Sequence, residues 1–82
     1  MNLNYPFLDG FTVYTKSQCD YCDKTKVLLS EFDEDKNYID CDDVLQYRYS
    51  KLKFLEHIQE LSGQNCRRFP IIFYNSKFIG GY

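Results

Sequence analysis

Apolar and polar positions follow two rhythms along the chain. Phe11 to Thr15, FTVYT, is β-branched and aromatic, follows Gly10, and reads as a short strand. From Cys22 to Phe32 the spacing changes: Cys22, Thr25 or Lys26, Leu29 and Phe32 recur at helical intervals, predicting a helix with one buried stripe. It runs into the polar stretch EFDEDKN, whose acids read as a solvated helix end. Asn37 to Asp40 predicts a second strand. Ser50 to Ser62 carries Leu52, Leu55, Ile58 and Leu61 on one side and stops at Gly63, a favourable helix terminator. The preceding DDVLQYRY reads equally as the first turn of that helix or as a long loop. Ile71 to Tyr74, a turn at Asn75 and Ser76, and Lys77 to Ile79 predict a hairpin. Ahead of all this, Leu3, Tyr5 and Phe7 alternate, and residues 1–9 read either as a tail or as an addition to the fold.

The predicted order is β-α-β-α-β-β. A strand–helix–strand start favours a right-handed crossover and a parallel pair, and the hairpin adds an antiparallel edge. The expected fold class is therefore α/β, a mixed four-stranded sheet with helices packed on it. At 82 residues the chain is expected to be a single domain, 1–82, near the small end of what one core can hold together. Hydrophobic residues at 44% and charged ones at 27% describe a globular mixture rather than a disordered one. With 18% aromatics and neither alanine nor tryptophan, Phe and Tyr must fill space that smaller residues usually share.

The net charge of −2, with no long basic block, argues against a nucleic-acid partner. No apolar run approaches the roughly 20 residues of a membrane helix, and MNLNYPFLDG lacks the features of a signal peptide. The expectation is a soluble, cytoplasmic protein in a reducing compartment. A composition suggestive of AT-rich coding fits either an AT-rich microbe or a virus-encoded protein acting in its host cytoplasm. In such a compartment four cysteines point to metal or redox chemistry rather than permanent crosslinks.

Two of those cysteines lie in YTKSQCDYCDKTK, Tyr14 to Lys26. Two residues between Cys19 and Cys22 suit a metal clip, a staple or a reacting pair. Their address, where the first strand hands over to the first helix, favours the last. Residues three apart on a helix have Cβ atoms about 5–6 Å apart, so a disulfide needs little chain movement. The unpaired N–H groups and positive dipole of a helix start stabilise a thiolate at Cys19, and Lys16 adds a positive charge. Asp20 and Asp23 oppose it, so the expected lowering of the thiol pKa from about 8.5 is a moderated one. Cys22, one turn inside, is expected to be more buried and to resolve a mixed disulfide formed at Cys19. A Cys₄ zinc site with Cys41 and Cys66 is disfavoured, since those two form no second Cys-x-x-Cys. Cys41 and Cys66 are expected to be ordinary thiols, Cys41 partly buried, with a secondary oxidation site at Cys66, beside Arg67 and Arg68, as the lesser alternative. His57 has no second histidine for a ligand pair and is expected to be exposed.

CDYC after a lysine and a strand, a Leu-Ser-Gly helix end, RRFP, a hairpin and GGY together resemble a dithiol glutaredoxin of the thioredoxin-like superfamily, over about Phe11 to Tyr82. The resemblance implies a glutathione-dependent thiol–disulfide oxidoreductase with Cys19 and Cys22 catalytic and no metal. It implies a cis Phe69–Pro70 peptide beside Cys19, with the Phe69 backbone pairing with the substrate. It also implies a glutathione groove in which Lys16 meets a carboxylate, Tyr21 shapes the wall, and the amides of Gly80, Gly81 and Tyr82 receive the γ-glutamyl end. Glutathione would be reductant and co-substrate. Disulfide-containing proteins, ribonucleotide reductase among them by analogy, would be the partners of a monomer. Three departures stand out. Asp20 replaces the usual proline, which would loosen the helix start. Arg68 replaces the usual threonine. The sequence also stops at Tyr82, where the family continues with an aspartate and a last helix. A missing last helix would leave an aromatic face exposed and favour self-association. The alternatives are a [2Fe–2S]-bridging glutaredoxin-type protein, which is not the expectation, and a redox-inactive binding module on the same fold.

Overall fold

The computed structural model describes residues 5–82. Its strands are β1 (Phe11–Thr15), β2 (Lys36–Asp40), β3 (Ile71–Tyr74) and β4 (Lys77–Gly80). Its helices are α1 (Asp20–Leu29), α2 (Asp42–Gln46) and α3 (Arg48–Ser62). The strands form one sheet in the order β2-β1-β3-β4. β1 pairs with β2 in parallel, Val13 opposite Tyr38, and with β3 antiparallel, Val13 opposite Ile72. β3 pairs antiparallel with β4 through the Asn75–Ser76 turn, where both residues have positive φ. This is the mixed four-stranded sheet expected from the order of elements.

β1 is buried along its whole length, so its alternating side chains feed two cores. Phe11 and Val13 point to one face and pack with Leu29 of α1 and Ile72. Tyr14 points to the other face, where Ile71 and Phe73 meet Cys41, Val44, Phe54, Leu55 and Ile58. Val13, Ile58 and Phe73 are fully buried, and each contributes about 1.5–3 kcal/mol of apolar burial. Rings carry much of the second core: Tyr14 meets Phe54 and Phe73 edge-on, and Phe54 stacks on Phe69. That stack ties α3 to the loop entering β3.

The start of β1 is clamped from two sides. Gly10 N–H donates to Asn75 Oδ1 at 2.8 Å, and Asn75 N–H donates to the Gly10 carbonyl at 2.9 Å. Phe11 N–H donates to the Asp35 carbonyl at 2.7 Å. Gly10 has φ of 79°, and a Cβ there would lie 2.4 Å from the Asp35 carbonyl oxygen, so this close approach requires glycine.

The helices differ from expectation in phase and extent. α1 begins at Asp20 and ends at Leu29, and its buried stripe is Cys22, Thr25 and Leu29. Phe32 lies beyond it at 44% exposure, meeting the Phe11 ring from outside. DDVLQYRY is neither a loop nor the first turn of α3: it is a separate helix, α2, followed by the extended residue Tyr47 and the start of α3. The buried stripe of α3 is Phe54, Leu55 and Ile58, while Leu52 is 47% exposed. The leucine-based phase was displaced because Phe54 finds the aromatic core. Cys41 is fully buried rather than partly so, and His57 is half-buried against the Tyr5 ring rather than exposed. β4 reaches Gly80, one residue further than expected. Leu3 of the amino-terminal alternation lies outside the described residues. Tyr5 and Phe7 are exposed and in no strand, with Phe7 N–H donating to Thr12 Oγ1. Among the described residues no helix is long and apolar enough to cross a membrane.

Candidate active site

The turn from β1 into α1 is held by two devices. Gln18, immediately before Cys19, has φ of 52°, a left-handed conformation that non-glycine residues adopt only under constraint. Ser17 N–H donates to Asp42 Oδ1 at 2.8 Å, tying the turn to the start of α2. Cys19 then serves as the N-cap of α1, with φ −127° and ψ 100°, and its Sγ accepts the Cys22 N–H at 3.2 Å. A sulfur in that role takes up one of the orphan donors of the helix start, which is the interaction a thiolate at this position would strengthen.

Cys19 and Cys22 are joined by a disulfide, with Cα atoms 5.2 Å apart. Cys19 is 9% exposed and Cys22 1%, so the first sulfur is the accessible one and the second lies behind it. Asp20 opens α1 in the place where a proline was absent, and the helix starts there without a break. Across from the pair, the Phe69–Pro70 peptide is cis, and the Phe69 carbonyl oxygen lies 3.8 Å from Cys19 Sγ.

Phe69 divides the surroundings into two grooves. One, of about 600 Å³, is lined by Lys16, Ser17, Asp42, Lys51, Arg67 and Phe69 among others. The Lys16 ammonium sits 5.8 Å from the Phe69 ring centroid, a cation–π arrangement on the groove wall. The other, of about 490 Å³, is lined by Tyr21, Arg68, Phe69, Pro70, Gly81 and Tyr82. Tyr21 and Tyr82 pack together at 5.3 Å between centroids, closing its outer wall. Gly81 passes close to Pro70: a Cβ there would lie 3.2 Å from the Pro70 carbonyl oxygen. Gly80 lines a neighbouring cavity with Cys66 and the two arginines. Lys16 thus lines one groove and Tyr21, Arg68, Pro70, Gly81 and Tyr82 the other, while Phe69, whose carbonyl stands 3.8 Å from Cys19 Sγ, lines both.

Two cations in the first groove, Lys51 and Arg67, are not visible as site residues in the sequence. Lys51 comes from the first turns of α3, which only the folded chain brings to Lys16. Arg67 carries the one usable signal, its place two residues before Phe69. Among the described residues, the side chains of Lys16, Lys51, Arg67 and Arg68 make no hydrogen bond or ion pair, and Lys16 meets only the Phe69 ring.

The remaining thiols behave differently. Cys41 is buried, and burial first, then the Asp40 and Asp42 carboxylates, push its pKa up to about 12, against a hydrogen bond with the Thr15 backbone. It is a packing residue. Cys66 is half-buried, with its sulfur 3.8 Å from Ser62 Oγ. Among the described residues no three His, Cys, Asp or Glu side chains converge to hold a metal ion.

Three solved structures resemble this chain. Glutaredoxin C1 from Populus tremula × tremuloides, in its holo form, superposes with a TM-score of 0.64 at 20% identity, over 89% of this chain and 66% of its own. A wheat glutaredoxin gives 0.64 at 25% identity over 88% and 62%. A buckwheat glutaredoxin–glutathione complex gives 0.64 at 25% identity over 89% and 61%. The chain therefore spans less than two thirds of each of these structures. No curated protein matches it. The glutaredoxin family model matches residues 11–79, from the first residue of β1 into β4 and over both cysteines of the pair and the Phe69–Pro70 peptide, and on that match this chain belongs to the glutaredoxin family.

Proposed function

We propose that the protein is a glutathione-dependent thiol–disulfide oxidoreductase working through Cys19 and Cys22. The observation that carries this is the pair itself: a disulfide across the first turn of a helix, its outer sulfur capping the helix and its inner sulfur buried. In the reduced protein the Cys19 thiolate attacks a substrate disulfide. A bond forms from Cys19 Sγ to one substrate sulfur, and the other leaves as a thiolate that takes up a proton. Cys22 then attacks Cys19 Sγ, closing the internal disulfide and expelling the second substrate thiol. The substrate gains two electrons, and the protein is left oxidised.

Two molecules of glutathione restore the dithiol. The first attacks the internal disulfide, and the second displaces it from the protein as glutathione disulfide. Glutathione has a carboxylate at each end, and the disulfide has an unneutralised cation on each side. Lys16, Lys51 and Arg67 suit one end of the peptide. Arg68 and the free amides near Gly81 and Tyr82 suit the other, and the Phe69 backbone offers main-chain pairing between them. The buckwheat structure holds glutathione on the same fold, which supports this reading. Chemistry of this kind belongs in a reducing compartment such as the cytoplasm.

The test is glutathione-coupled reduction of a small disulfide. Cys19→Ser should abolish turnover. Cys22→Ser should lose reduction of protein disulfides while retaining exchange of glutathione mixed disulfides, which needs only the outer sulfur. Absence of turnover in the wild-type chain with both thiols reduced would instead identify a binding module.

A further inference from the structure

The first turns of α3 break a rule that the other helices keep. α1 opens with Asp20 and Asp23 and α2 with Asp42 and Asp43, acids that suit the positive end of a helix dipole. The first turn of α3 has no acid; it opens with Arg48, and Lys51 follows one turn on. From Val44 to Leu55 there is no acidic residue at all, while Arg48, Lys51 and Lys53 fall within it. In a chain of net charge −2, this is a local excess of positive charge. None of the three side chains has an ion pair or hydrogen bond among the described residues. Around them stand large apolar side chains that folding leaves in water: Tyr47 at 65%, Tyr49 at 74% and Leu52 at 47% exposure. The Lys53 ammonium lies 5.7 Å from the Tyr49 ring centroid, so basic and aromatic groups form one surface. Sites where a sequence departs from its own local logic without a stabilising return are where function is expected.

We infer that this surface docks an acidic segment of the protein whose disulfide is reduced; the inference rests on the oxidoreductase reading above. Continuity with the sulfur site is the reason for that occupant. Gln46 and Lys51, on either side of Tyr47, line the same groove as Lys16, Arg67 and Phe69, and the Phe69 carbonyl stands 3.8 Å from Cys19 Sγ. On α3, Arg48, Lys51 and Leu55 follow at helical spacing, so the groove continues onto the start of the helix. A peptide held at the disulfide would pass Lys16, Lys51 and Arg67 and reach Arg48, Tyr47, Leu52, Tyr49 and Lys53 in turn. Carboxylates would meet guanidinium and ammonium groups, and apolar stems would cover the tyrosines. Asp42 and Asp43 at the groove edge work against this, but the Asp42 carboxylate is already accepting the Ser17 N–H. Five cations interrupted by Asp42 and Asp43, in a chain of net charge −2, suit a short acidic segment better than a nucleic-acid backbone, where affinity grows with each phosphate neutralised.

The test uses glutathione mixed disulfides of two peptides identical except for flanking glutamates or glutamines, with hydroxyethyl disulfide as a substrate too small to reach α3. The wild-type chain should favour the glutamate peptide by about tenfold in kcat/KM at low salt, and the preference should collapse near 0.5 M salt. The Arg48→Gln/Lys53→Gln variant should lose about fivefold on the glutamate peptide and keep its rate on hydroxyethyl disulfide and the glutamine peptide. Equal rates on both peptides, or an unchanged variant, would overturn the inference. If hydroxyethyl disulfide is not reduced at all, it is the oxidoreductase reading that fails. Fluorescence anisotropy of the two peptides with wild-type and variant protein then decides docking by itself, a charge preference lost in the variant upholding it and its absence overturning it. Displacement of the glutamate peptide by a single-stranded oligonucleotide that binds more tightly would also overturn it, in favour of nucleic acid.

Discussion

At the scale of single residues, position separates the cysteines. Cys19, 9% exposed, caps a helix start, whereas Cys41 sits among Tyr14, Val44 and Phe54 with its pKa raised to about 12. Tyr14 is raised to about 12 as well, by burial first and then by Cys41. Both groups are neutral when protonated, and both lose protons more readily in the unfolded chain than in the folded one. The unfolded state therefore binds fewer protons as pH climbs past 9.0 for the thiol and 10.0 for the phenol. The stability they contribute is complete below those values and is lost as pH rises toward about 12. Urea unfolding between pH 7 and pH 11 should show this decline, and Cys41→Ala should flatten it while lowering stability at neutral pH. An unchanged slope in the variant would show that the thiol does not drive the decline. The cysteine pair was legible in the sequence because its geometry is local, two sulfurs one helical turn apart after a strand. The place of Lys51 was not, because it joins Lys16 in one groove only once the chain is folded.

At the scale of elements, boundaries and phases were harder to read than existence. All four strands and the two long helices are where periodicity placed them to within a few residues. α2 was missed because five residues carry too little periodicity to separate a helix from a loop. The phase of α3 was misjudged because leucine spacing fits Leu52 and Leu55 as well as Phe54 and Leu55, and only the ring-lined pocket beneath decides between them. Glycines mark two element ends for different reasons. Gly63 is the left-handed stop of α3, with φ of 73° and open space where a Cβ would be. Gly10 has both positive φ and no room. Gly63→Ala should cost about 1 kcal/mol, the backbone strain alone. Gly10→Ala should cost clearly more, because β1 must also move away from Asp35. Denaturant midpoints of the two variants compare them, and equal losses would mean that the clamp at Gly10 yields without resistance.

At the scale of the whole molecule, β1 serves two cores and a single turn carries the disulfide. α1 buries only Cys22, Thr25 and Leu29, while α3 buries Phe54, Leu55 and Ile58 beneath several rings. Beyond its one buried stripe, α1 presents Tyr21, Val27 and Leu28 to solvent. Because the disulfide closes so small a loop, it removes little freedom from the unfolded chain, about 2 kcal/mol at most. Reduction should therefore leave unfolding cooperative and the amide spectrum of β1, β3 and α3 unchanged, with stability falling by no more than about 2 kcal/mol. Denaturation followed with and without reductant checks this, and a broadened transition in the reduced protein would show that the bond holds the fold.

The confinement of both sulfurs to one helical turn has a thermodynamic consequence. If the protein carries electron pairs as proposed, opening a bond that spans one helical turn should do little mechanical work on the scaffold, and its outline should stay the same in either state. A partner reading that outline would meet loaded and spent carriers alike. The direction of flow would then be set by supply and demand in the surrounding thiol pool, through mass action, rather than by a change of shape.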